Sequence, residues 1–197
     1  MRSCPLVVLG CFLLIIFGLG VLPGCNDEDQ PRSRVRIVRI ADPEDSEDIS
    51  AAVFQSDVRD AGADGEPFTE DDVIFEDELL ITVENQPVSP LLTLEPDGPF
   101  GAVVLTGYRV DFAVDEESLD PVSGSLHLVI PTGEERDAAI VAVSAALKAV
   151  PPLSTLAQTG GEIAGSATIT FWGYEETSED EVTAAGSFQI HFADWME

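Results

Sequence analysis

Residues 108–114 read Y-R-V-D-F-A-V. Tyr108, Val110, Phe112 and Val114 alternate with Arg109, Asp111 and Ala113, the period-two pattern of a strand with one dry face and one wet face. Outward from this stretch the same period recurs. Leu126, Leu128 and Ile130 alternate with Ser125, His127 and Val129, and Leu79, Ile81 and Val83 alternate with Leu80, Thr82 and Glu84. Residues 138–144 are apolar on both faces. Two long strand signals, 164–174 and 182–193, flank the acidic run E-E-T-S-E-D-E at 175–181 and predict a hairpin. V-R-I-V-R-I at 35–40 is β-branched and supplies a first strand. No 3.6-residue stripe is sustained; S-A-A-L-K-A-V at 144–150, ahead of Pro151-Pro152, reads as a single helical turn.

About seven strand signals with Gly and Pro punctuation predict an all-β fold. The expected form is an antiparallel β-sandwich over residues 35–197 with immunoglobulin- or fibronectin-like topology, a small barrel being the alternative. The Cys…Trp…Cys framework of true immunoglobulin domains is missing from the sequence. Residues 42–78, around D-A-G-A-D-G-E-P, read as a long acidic loop with a short strand or turn near 49–58.

The N-terminus has a different character. Arg2 precedes an apolar block from Leu6 to Leu22, which Pro23 and Gly24 end, the plan of a secretory signal peptide over residues 1–24. Leu22-Pro23-Gly24-Cys25 resembles the lipobox of bacterial lipoproteins. That resemblance implies cleavage before Cys25, a diacylglycerol on its thiol and an acyl chain such as palmitate on the new amino terminus. Two or more chains give stable anchoring, at about 0.8 kcal/mol per buried methylene, so the membrane is an expected partner. Asn26 after the cysteine leans the expected location toward the outer membrane or cell surface of the envelope. Residues 25–34 then form a tether; its nine residues after the cysteine reach about 30 Å when extended. The closing stretch, T-I-T-F-W-G-Y through F-Q-I-H-F-A-D-W, resembles the last hairpin of uncharacterised secreted β-sandwich lipoproteins, a likeness that brings no activity with it.

Charge excludes whole classes of partner. Nine Lys+Arg face 37 Asp+Glu, a formal net charge of -28. Such a chain repels nucleic acid and anionic headgroups. Cys4 and Cys11 fall in the expected signal, so a mature chain beginning at Cys25 holds no intramolecular disulfide.

Little in the sequence points to catalysis. There is no G-x-S-x-G elbow and no G-x-x-x-x-G-K loop. His127 and His191 alternate against apolar neighbours and are expected on faces opposite the core. Calcium is the one metal with a pattern: Asp60, Asp64 and Asp71 occupy positions 1, 5 and 12 of an EF-hand-like loop with Gly65 at position 6, although position 3 is Gly62. On the penultimate strand Thr168, Thr170, Trp172 and Tyr174 share one face, and Ala167, Ile169 and Phe171 the other. If the second set is core, Trp172 and Tyr174 are exposed and suit a protein or carbohydrate partner. The expectation is a non-enzymatic binding or structural accessory module. The alternative is a calcium-dependent adhesion or matrix module using residues 60–71.

Overall fold

The computed structural model describes residues 32–43, 49, 52–60, 62–63, 72–88, 101–114 and 118–195. The chain is mostly β, in two sheets with few helices. Its strands are β1 (Ser33–Ala41), β2 (Val53–Asp57), β3 (Asp77–Pro87), β4 (Val103–Val114), β5 (Val122–Ile130), β6 (Glu135–Val143), β7 (Glu162–Glu175) and β8 (Glu181–Ala193). One sheet has the order β1-β3-β6; the other, ordered β2-β8-β7-β4-β5, curls into a half-barrel. The expected all-β class therefore stands, with one departure from the antiparallel expectation: β2 runs parallel to β8. β1 begins at Ser33, two residues inside the stretch expected to be tether.

Alternation explains how the two sheets meet. Leu79, Ile81 and Val83 of β3 and Ile140 and Ala142 of β6 turn inward against Leu105 and Val110 of β4, Ile169 and Phe171 of β7 and Ile190 and Phe192 of β8. These side chains form one buried cluster with both sheets contributing. At one corner, Ile37 of β1 lies on Gly186 of β8, where an added Cβ would sit 3.1 Å from Ile37 Cδ1. At the other, Tyr108 crosses from β4 over Gly124 of β5, and its hydroxyl oxygen accepts the Val141 N–H of β6 at 3.1 Å. A Cβ on Gly124 would lie 2.6 Å from Tyr108 Cζ, so glycine keeps this crossing open.

The chain passes between sheets at the turn after β5. Gly133 takes the positive φ of 77° that this turn needs, and its N–H donates to the Asn85 carbonyl at 2.7 Å. Asn85 is fully buried and its Nδ2 donates to Gly101 O at 2.6 Å and Ile130 O at 3.0 Å, tying β3 to the ends of β4 and β5. Beside it Glu175 is also buried; its carboxylate accepts from Ser33 Oγ, Ser178 Oγ and the Arg32 N–H. Composition placed Glu175 among hydrated turn acids. Instead β7 runs on through it, and its carboxylate fixes the start of β1.

The expected helical turn is α1 (Ala145–Lys148), capped by Ser144 Oγ accepting from Leu147 N–H. A second helix, α2 (Leu153–Thr159), follows the proline pair and buries Leu153, Leu156 and Ala157. Among the described residues no helix is long and apolar enough to cross a membrane.

Candidate functional site

The outer face of the five-stranded sheet carries Trp172 and Tyr174, 41% and 37% exposed, while Ala167, Ile169 and Phe171 behind them are fully buried. The expected facing of β7 is thus the observed one. Register sets the neighbours: Trp172 stands between Gly107 of β4 and Thr183 of β8, and Gly107 faces Ser125 of β5. A Cβ on Gly107 would fall 2.6 Å from indole Cε2 and 2.8 Å from Nε1. One face of the indole therefore rests on the β4 backbone and the other meets solvent. The pairing of an aromatic ring with a bare glycine across strands is what holds the ring flat.

Around this platform the side chains are short and hydroxylated. Thr170 and Thr183 flank the indole, and Thr168 Oγ1 and Ser187 Oγ share a hydrogen bond of 2.9 Å further along. The charges on the middle of this face cancel: Arg109 Nε donates to Asp111 at 2.8 and 3.0 Å, and that carboxylate holds the guanidinium above its ordinary pKa. In a chain of net charge -28, the centre of this face is a neutral, polar, aromatic surface.

A second feature is an acidic cleft of about 710 Å³ lined by Asp42, Phe54, Asp57, Asp60, Phe75, Glu76, Asp77 and Lys148, among others. Lys148, the only lysine of the chain, is 1% exposed. Its Nζ donates to Asp77 Oδ1 at 2.5 Å and to the Asp57 carbonyl at 2.6 Å. Ser56 Oγ donates to the other Asp77 oxygen at 2.6 Å. Burial pushes the Asp77 carboxyl above its ordinary value, with Lys148 and Ser56 pulling the other way. Burial likewise raises Asp57, whose Oδ1 accepts from the Trp195 and Arg59 N–H groups. Here the lysine and the serine hydroxyl are both committed to one carboxylate and closed off from solvent, which makes this a structural knot under the cleft. The lone lysine in the apolar run A-A-L-K-A-V was the signal that could have found it.

The remaining expected residues separate. Asp60 lines the cleft; its Oδ1 accepts the Gly62 N–H at 2.9 Å, and its backbone bridges Val73. Asp64, Asp71 and Cys25 lie outside the described residues. Among the described residues no group of three or more His, Cys, Asp and Glu converges as metal ligands would. His127 is exposed on β5, and His191 on β8 pairs with Glu162. Two strands stand between β5 and β8, and the ladder register sets His127 level with Val182 and Thr183 of β8, far along that strand from His191, so the histidines do not share a ligand.

No family model, no curated protein and no solved structure matches this chain.

Proposed function

We propose that this chain is a non-enzymatic binding module of the cell envelope, anchored by lipid at Cys25, which holds a neutral polysaccharide on the outer face of its five-stranded sheet. The observation that carries the proposal is the flat, half-exposed Trp172 indole seated on Gly107 amid threonine and serine hydroxyls. A pyranose offers an apolar C–H face, suited to stack on an indole, and a rim of hydroxyls, suited to short polar side chains. Nucleic acids and acidic polymers are repelled by the net charge, whereas a neutral glycan is indifferent to it. Tyr174, one pleat along on the same face, extends the platform to a second sugar. We read the scaffold as a variant of the immunoglobulin-like sandwich; two sheets sharing one core support this, and the parallel β2–β8 pair is its departure. A calcium-dependent module is the less favoured alternative, since Asp60 already spends one oxygen on its own loop.

Tryptophan fluorescence tests the proposal. Titration with neutral oligosaccharides is expected to shift and saturate the emission of Trp172. An unchanged spectrum across a panel of neutral glucans, mannans and chitin oligomers would refute it.

A further inference from the structure

Lysine is among the residues least often buried, because its ammonium is compact and strongly hydrated. This chain keeps a single lysine and buries it against one carboxylate. An ion pair closed off from water gains little over an apolar pair of the same shape, so Lys148 and Asp77 call for a use besides stability.

Three elements meet at the pair. Asp77 opens β3, Lys148 ends α1, and β2 supplies Ser56 and Asp57. With Nζ at 2.5 Å from Oδ1, the carboxyl carbon Cγ is no more than about 3.7 Å from the nitrogen. The Asp57 carbonyl, 2.6 Å away, accepts a second Nζ proton and fixes the amine in place. On the far side of the carboxyl group, Ser56 Oγ donates to Oδ2 at 2.6 Å. A nitrogen nucleophile, a carbonyl carbon and a hydroxyl donor on the oxygen that would carry negative charge are the parts of an acyl-transfer site.

We propose that in the folded chain Lys148 Nζ and Asp77 Cγ condense to an intramolecular amide with loss of one water. Nζ first hands a proton to Oδ1, leaving an amine whose lone pair faces Cγ. Attack forms the N–C bond and places the negative charge on Oδ2, against the Ser56 hydroxyl. A second Nζ proton passes to Oδ1, the Cγ–Oδ1 bond breaks, and that oxygen departs as water with two of the three ammonium protons. The third stays on the amide nitrogen.

The site favours each stage. The first proton transfer turns two buried charges into two neutral groups, which burial promotes, and burial already pushes the Asp77 carboxyl upward. Groups held this close react with effective molarities of about 10⁵–10⁸ M, far above the concentration of water, so the amide is the stable product. Both residues line the cleft, which gives the released water an exit. Because the pair moves its own protons, the step is slow: newly folded protein carries the ion pair described above, and aged protein the amide. The product is a covalent clasp between positions 71 apart, which encloses β4, β5 and β6 in one closed loop.

Tryptic mass spectrometry of the full-length protein, aged folded at neutral pH and then denatured, tests the bond. Trypsin cuts after a free lysine and not after an acylated one. No lysine or arginine follows Lys148, and none lies between Arg59 and Arg109 or between Arg136 and Lys148. The expected product is residues 60–109 joined to 137–197, lighter than the two together by one water and increasing with time. Protein kept in urea throughout is expected to give separate 137–148 and 149–197 peptides. Ser56→Ala, folded by circular dichroism, is expected to form the branched product on the order of a hundredfold more slowly, the loss of one oxyanion donor. Complete cleavage after Lys148 in the aged, folded wild type overturns the proposal. So does a branch through any acid other than Asp77, or one that Ser56→Ala forms at the wild-type rate.

Discussion

Replacing Lys148 with methionine is expected to destabilise the protein more than almost any other single change outside the apolar core. The lysine side chain is 2% exposed and that of Asp77 15%, so the ion pair lies where water cannot take over. Methionine fills a similar volume but leaves the Asp77 carboxylate with Ser56 as its remaining hydrogen-bond donor and strands the Asp57 carbonyl. Breaking a buried pair from one side costs about 3–5 kcal/mol, which lowers Tm by roughly 6–20 °C in a chain of this size. The loss is expected to depend on pH. Without the cation, burial of Asp77 is opposed by the Ser56 hydrogen bond and no longer by Lys148, so its folded pKa climbs further. The folded state then takes up a proton at a higher pH than the unfolded chain, and the deficit shrinks as pH falls toward that value. Adding Asp77→Asn removes the uncompensated charge and is expected to recover most of the stability at pH 7. Urea unfolding of the wild type, both single variants and the double variant at pH 7 and pH 5 measures all of this. A Lys148→Met protein within 1 kcal/mol of the wild type at pH 7 would refute the assignment of this pair as a structural knot.

Three further outcomes follow from other parts of the molecule. Gly107→Ala pushes the Trp172 indole off the β4 backbone; it is expected to weaken glycan binding on the order of tenfold while moving stability by about 0.5 kcal/mol, since the displaced ring is at the surface. Parallel binding and melting curves check the split. Asn85→Ala leaves Ile130 O without its buried donor and loosens the β3 to β4–β5 junction. Its expected cost is about 1–3 kcal/mol, read by chemical denaturation. Asp57, Asp77 and Asp194 are all raised by burial above their ordinary value of 3.8. Between that value and each folded pKa the native state holds more protons than the unfolded one, so wild-type stability is expected to increase as pH falls through this window and to level off below it. Calorimetry from pH 7 to pH 4 shows the slope directly.

Period-two alternation made most of this architecture legible. Tyr108 and Val110 against Arg109 and Asp111 placed β4 and its faces, and Ala167, Ile169 and Phe171 placed β7 with Trp172 and Tyr174 outward. Alternation reports which way side chains point, not which strand lies next door. The parallel pairing of a five-residue β2 with β8 therefore left no trace in the residues themselves. The ion pair of Lys148 and Asp77 joins positions 71 apart in the chain, and nothing local announces it except a lysine in an otherwise apolar turn. Glu175 misled for the opposite reason: its neighbours are hydrated acids, and only the extra residue of β7 carries it inside. The glycine under Trp172 was equally silent, because the indole and Gly107 meet across a ladder whose register shifts between Leu105 and Gly107.

The central claim is the Trp172 platform, and affinity electrophoresis tests it most directly. The wild type and Trp172→Ala are run side by side through native gels cast with neutral polysaccharides and with an acidic one. Retardation of the wild type in at least one neutral gel is expected, none in the acidic gel, and a loss of about 2 kcal/mol or more of binding for Trp172→Ala, on the order of thirtyfold in Kd. Equal mobility of the two proteins in every gel would contradict the account.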